Sequence, residues 1–199
     1  EKKLDSLLVL HPTTEITNGN LRAIGSLSVN HKCNPKLSFK TGIVFTRIFY
    51  NVHIKNAENL GDKLTTFVDK NENADKAQAY IQCKYVIADN VSLNAGFHSQ
   101  YFKLIDRYSL EPRVGLRWNF LPHNTLSLAY GLHSQTEPLS FYLAERNNGI
   151  SISKPNTNLD FTKAHHFVLG YELMITENTR FKAEPYFQYL FDVPVIPNS

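Results

Sequence analysis

Apolar and polar residues alternate with period two along most of this chain. Tyr108, Leu110, Pro112, Val114, Leu116, Trp118 and Phe120 take one phase, and Ser109, Glu111, Arg113, Gly115, Arg117 and Asn119 take the other. Successive side chains project to opposite sides in an extended strand, so such a run predicts a strand with one apolar and one polar face. Ala77 to Ile87, Val91 to Phe97, Leu126 to Leu132, Phe167 to Ile175, Phe181 to Phe191 and, near the start, Leu21 to Val29 behave alike. Leu37 to Ile54 is also extended, but its apolar phase slips near Phe45 to Ile48. That slip predicts a bulge, or a strand end that leaves the apolar environment.

Eight strands result, at roughly 21–32, 37–54, 77–88, 91–104, 108–120, 125–136, 164–175 and 180–193. Tight-turn sequences join them at 33–36, 88–91, 121–124 and 176–179. The alternate connections, 55–76 and 137–163, are long and rich in Asn, Lys, Asp and Ser, with 105–107 the short exception. Short turns at one end and long loops at the other describe an all-β, antiparallel up-and-down meander.

Composition removes several function classes. The 199 residues are 42% apolar and 20% charged, which supports a sizeable core rather than disorder. A net charge of +3 is too small to argue for nucleic acid. Cys33 and Cys83 sit in no disulfide framework or metal-ligand spacing and read as unpaired small residues. No apolar run approaches the length of a transmembrane helix. Glu1-Lys2-Lys3 before Leu7 to Leu10 is too short for a signal core, so the chain reads as cytosolic or as a piece of a longer protein.

Strand length then separates a soluble barrel or sandwich from a membrane barrel. Tyr108 to Phe120 spans about 43 Å at ~3.3 Å per residue, or about 33 Å of height at a tilt of ~40°. That crosses the ~25 Å apolar band of a membrane barrel, whereas globular strands run to about five or six residues. Tyr85, Trp118, Phe120 and Phe181 lie on the apolar phase beside the short turns, where membrane-interface aromatics belong. Pro112 and Pro185 share that phase, an unusual place for proline in a central strand. The expectation is a partial transmembrane β-barrel of about eight strands. Val193 to Ser199 runs out into a loop without a terminal aromatic, so the ends read as cut.

Several segments carry a resemblance. Gln78-Ala79-Tyr80, Leu93 to Phe102, Ser109 to Trp118, Tyr130 to Gln135 and Asn158 to Phe167 resemble, in content and order, the barrel of TonB-dependent receptors from Bacteroidetes-type bacteria. The likeness covers roughly 20–195 and falls in the middle of the barrel, in the subgroup with an N-terminal carboxypeptidase-regulatory-like domain. It implies the outer membrane of a Gram-negative cell, and a barrel filled by a plug domain that imports a scarce nutrient with energy relayed through TonB. The plug, the energy-coupling box and the last strands of the family are not in this sequence. The partners implied are outer-membrane lipid, the receptor's own plug, the TonB complex and a nutrient ligand. The resemblance implies no enzyme activity and no cofactor.

Two pentapeptides, Gly96-Phe97-His98-Ser99-Gln100 and Gly131-Leu132-His133-Ser134-Gln135, echo each other two strands apart. Parity puts His98, Gln100, Glu111, Arg113, His133 and Gln135 on the polar face at similar heights, as a hydrogen-bonded belt lining the lumen and abutting the plug. A metal or proton-relay site is the sharper alternative. A Ser99–His98 hydrolytic pair is excluded because adjacent strand residues diverge, and His165-His166 diverge likewise. Lys63, Asp69, Lys70, Asn71, Glu72, Asn73 and Asp75 read as a solvated loop. Two further function classes stay open: a complete small outer-membrane barrel, and a soluble β-domain that binds a partner.

Overall fold

A computed structural model describes residues 2–4, 9–143, 146–147, 152–153 and 155–194. Nine strands form one antiparallel sheet: β1 (Thr14–Asn34), β2 (Leu37–Asn56), β3 (Thr65–Ala88), β4 (Val91–Phe102), β5 (Arg107–Leu121), β6 (Asn124–Gln135), β7 (Thr162–Thr176), β8 (Thr179–Ala183) and β9 (Tyr186–Phe191). Sequential neighbours pair from β1 to β8, and β9 follows β8 along the same edge of β7. The all-β up-and-down meander is therefore the fold, eight strands wide.

All four expected tight turns join strands, and each is accompanied by a register shift. The shifts lie between Lys32 and Asn34, Val86 and Ala88, Trp118 and Leu121, and Met174 and Thr176. The extra residue always falls on the strand entering the turn, where a bulge adds local twist.

Several boundaries differ from expectation. The connection read as 55–76 is loop only over 57–64, because β3 begins at Thr65. Its upper half offers Asp69, Asn71, Asn73 and Asp75 to one face and Lys70 and Glu72 to the other, so period two is invisible there. Most of the supposed solvated loop is thus strand, and Asp75 binds Arg47 of β2 through both carboxylate oxygens at 2.7 and 3.0 Å. β1 likewise starts at Thr14 rather than near 21. The phase slip at Phe45 to Ile48 is no bulge, since β2 and β3 stay in register from Leu37↔Tyr85 to Ile54↔Val68. Apolar residues occupy both faces there because a core begins on the second face. Finally, the strand expected over 180–193 is interrupted at Glu184-Pro185, where proline offers no N–H.

That core lies at the long-loop end, on the face that carries Glu111. Tyr50, Val52, Val68, Ala74 and Phe102 are buried against Ile105, Tyr142, Leu143 and Phe161. Tyr142 ends a one-turn helix, Leu139–Tyr142, folded back over the sheet; its ring meets Phe102 edge-on at 5.9 Å.

The sheet is regularly staggered. One row of paired residues runs Leu37, Tyr85, Leu93, Leu116, Leu128 and Leu169, and the Leu169 N–H donates to the Pro185 carbonyl. The row meets β2, β4 and β6 at their first, third and fifth residues, so it climbs one residue per strand. With ~3.3 Å per residue and ~4.8 Å between strands, the strands lean by about 35° relative to the line of short turns.

Candidate functional site: the inward polar network and the outward apolar band

Pro112 organises the centre of the Glu111 face, here the inward face. It lies opposite Phe97 of β4 and has no N–H for the strand on its other side. Pairing of β5 with β6 runs from Leu121↔Asn124 up to Arg113↔Gly131 and stops, whereas β5 stays paired with β4 as far as Phe102↔Arg107. Above Pro112 the two strands separate. Gln100 reaches across β5 and donates from Nε2 to the Ser134 carbonyl at 3.0 Å.

Glu111 fills the opening and is 2% exposed. Its Oε2 accepts from His98 Nδ1 at 3.0 Å and Arg113 Nη2 at 2.8 Å; its Oε1 accepts from Gln100 Nε2 and Ser109 Oγ, both at 3.1 Å. Gln78 Nε2 donates to His98 Nε2 at 3.2 Å, so the imidazole hydrogen toward Glu111 sits on Nδ1. Four donors from β4 and β5 satisfy the buried carboxylate, and the Gln78–His98 and Gln100–Ser134 bonds extend the network to β3 and β6. Arg113 Nε and Ser134 Oγ remain buried without a partner among the described residues.

Of the six residues expected in the belt, His98, Gln100, Glu111 and Arg113 form one network. His133 packs on the His166 ring, centroids 4.6 Å apart, and leans with Arg113 into the space left by Gly131. Gln135 shares the inward phase but is exposed at the strand end, opposite Thr162, and takes no part in the network. Gln78 and Ser109 are members that sequence reading missed; their inward parity was the available signal. His165 and His166 do diverge, with His165 facing outward 3.0 Å from Tyr130 Oη. Among the described residues no group of three or more His, Cys, Asp or Glu is placed to hold a metal ion.

Below the network the sheet curves around an open cavity of about 740 Å³, lined from Asn30 of β1 to His166 of β7. Inward positions of the central strands are Gly96, Gly115, Ala129 and Gly131, which hollow it.

The outward face is chemically opposite. In the outward phase of Leu37 to Phe45, Ala77 to Tyr85, Val91 to Tyr101, Tyr108 to Phe120, Leu126 to Leu132 and His165 to Leu173 there is no Asp, Glu, Lys or Arg. Large apolar side chains there are open, with Leu110 60%, Phe97 61% and Tyr108 70% exposed. Tyr85, Trp118, Phe120 and Phe181 lie within three residues of the short turns, and Trp118 and Phe120 rings are 5.6 Å apart. A second aromatic row, absent from the sequence reading, lies eight to thirteen residues from the short turns: Phe45, Tyr101, Tyr108, Phe187, Tyr189 and Phe191. At a lean of 35° the rows are about 22 Å apart in height. Charge returns just above, where Asp75 meets Arg47 at 2.7 Å and Lys103 at 3.9 Å.

No family model matches the chain, and no curated protein is similar to it.

Proposed function

We propose that this sheet is a sector of the wall of a transmembrane β-barrel, set in an outer membrane with its short turns toward the periplasm, and that the barrel is a TonB-dependent receptor importing a nutrient. The observation that carries the membrane reading is the outward face. Across six strands it is free of charge and bounded by two aromatic rows, while the inward phase of the same strands bears Lys40, Lys84, Glu111, Arg113, Arg117 and Glu172. A water-facing sheet places its charges on the exposed side. A lipid-facing one places them in the lumen, with aromatics at both interfaces of an apolar band about 25 Å tall. A lean of about 35° falls in the range of such walls. The receptor class rests on the sequence resemblance; there the plug would occupy the inward concavity, and TonB would act on the plug.

The test is single-cysteine labelling in native membranes. Leu116→Cys should react only with lipid-soluble maleimides, and Arg117→Cys with water-soluble ones from the lumen side. Equal reaction of both with water-soluble reagent overturns the membrane assignment. The receptor class is tested separately, by TonB-dependent loss of nutrient uptake when the gene is deleted.

A further inference from the structure

We infer that the outward face carries a discrete site for one phosphate-bearing lipid, its chain in a groove over β3 and its head on the charged cluster above. The inference rests on the reading that this face meets lipid. Each outward residue of β3 lies between a β2 and a β4 partner there, as Phe45↔Ala77↔Tyr101 in one row and Ile43↔Ala79↔Ser99 in the next. Ala77 and Ala79 end at Cβ, while Ile43, Phe45 and Tyr101 stand beside them, so β3 becomes the floor of a trough. The trough is open, about 580 Å³ in volume, and lined by these six residues and parts of β1. Ile81, the next outward residue of β3, ends the run of small side chains.

Directly above Ala77 the outward row reads Arg47, Asp75 and Lys103. Asp75 lies enclosed between the two cations, with its side chain 14% exposed against 45% for Arg47 and 70% for Lys103. Arg47 spends Nε and Nη2 on Asp75, and its Nη1 has no partner among the described residues. On the flank, Asp106 accepts the Tyr101 hydroxyl at 2.9 Å, and Arg107 Nη1 donates to the Asp106 carbonyl at 3.3 Å. Arg47, Lys103 and Arg107 thus face Asp75 and Asp106, which leaves one positive charge in excess.

Cations at the border of an apolar band, with a groove running down from them, match the two halves of one amphiphile. Hydrocarbon alone would wet the groove without being held in it. An anionic head on Arg47 and Lys103 fixes the molecule, as basic residues at a membrane surface hold lipid head groups. Phosphate suits the pair because its several acceptor oxygens can take a guanidinium N–H and an ammonium together.

The experiment uses the protein extracted from its native membrane in dodecyl maltoside and stripped of endogenous lipid by detergent exchange, its strand content checked by circular dichroism. Dipalmitoyl phosphatidic acid is the probe, and native mass spectrometry counts the molecules retained. One lipid per chain should bind saturably, and dipalmitoylglycerol, with the same chains and no phosphate, at least tenfold more weakly. Lys103→Gln should weaken the phosphatidic acid at least fivefold. Ala79→Phe, which fills the groove at an exposed position, should weaken it at least tenfold, whereas Ala95→Phe, exposed on the same face outside the groove, should leave it unchanged. Absence of a saturable first lipid overturns the proposal, as does equal retention of dipalmitoylglycerol or wild-type affinity in both site variants. Displacement of the lipid by inorganic phosphate also overturns it, by reducing the site to one for a free anion. Leu116 labelling tests the membrane assignment separately: lipid access at 116 with no retained lipid fails the site alone, and water access at 116 fails the membrane reading.

Discussion

At the residue scale, Glu111 shows how one buried charge becomes structural. Its carboxylate lies where Pro112 has ended a ladder, and it recruits donors from β4 and β5. Removing one partner of a buried charge leaves the others desolvated and unpaired, which costs several kcal/mol. Glu111→Ala should destabilise the folded chain by about 3 kcal/mol, against about 1 kcal/mol for Ser109→Ala, which deletes a single bond. Urea midpoints in detergent compare the two, and equal midpoints would show that Glu111 is no linchpin. Gly96 is a second sensitive position, for a steric reason. A methyl at 2.6 Å from the Ile81 carbonyl oxygen pushes on backbone, not on a yielding side chain. Gly96→Ala should cost about 1–3 kcal/mol, as overpacking does, and a neutral result would mean that β3 and β4 move apart freely.

At the scale of elements, the long-loop end is held by a packed core and a small set of ions. Lys163 at the start of β7 binds Asp160 at 2.9 Å and Asp192 at 3.0 Å, and Asp160 also accepts the Phe161 N–H at 2.8 Å. Partial burial pushes the Asp160 carboxyl up, but the Lys163 ammonium and the Phe161 N–H outweigh it and hold the group below the usual carboxylate range. A depressed acid stabilises the fold above its unfolded pKa, and that contribution fades as pH falls through the folded one. Residues 155–161 should therefore stay protected from hydrogen exchange through neutral and mildly acid pH and open below the ordinary carboxylate range. Asp160→Asn should lose this acid dependence. A wild-type exchange profile unchanged down to strong acid would assign the anchoring to Phe161 and Tyr142 packing alone.

At the scale of the whole molecule, the two faces differ in chemistry, and the proposed membrane setting is tested on the outward one. Val114 is 43% exposed on the outward face, seven residues above its short turn and between the two aromatic rows. In water, Val114→Arg at an exposed site would change stability by less than ~0.5 kcal/mol. In a bilayer midplane the same change costs about 2–4 kcal/mol. Folding titrations in lipid vesicles should show the larger loss, and a neutral effect there would place the outward face in water or against another protein. The continuous stagger fits the same picture, since a leaning, curved sheet closes into a wall only when each strand climbs past its neighbour.

Much of this was written locally. Period two in β3 to β7 declared both faces, because side-chain parity follows from strand geometry without reference to anything distant, and tight-turn sequences declared the four short turns. The pairing of His98 with Glu111 followed from the same parity plus turn positions. Three features needed the tertiary structure. The upper halves of β1 and β3 are mostly polar and show no period-two alternation, so only their pairing with β2 marks them as strands. The core over Tyr50, Val52 and Phe102 exists because a loop some forty residues beyond Phe102 folds back onto a face whose phase is otherwise polar. And the belt shrank to a network around Glu111 because Pro112 splits two strands, freeing a carbonyl for Gln100 and leaving Gln135 outside. Alternation is a property of one strand; the height at which strands meet, and where they part, belongs to the register between them.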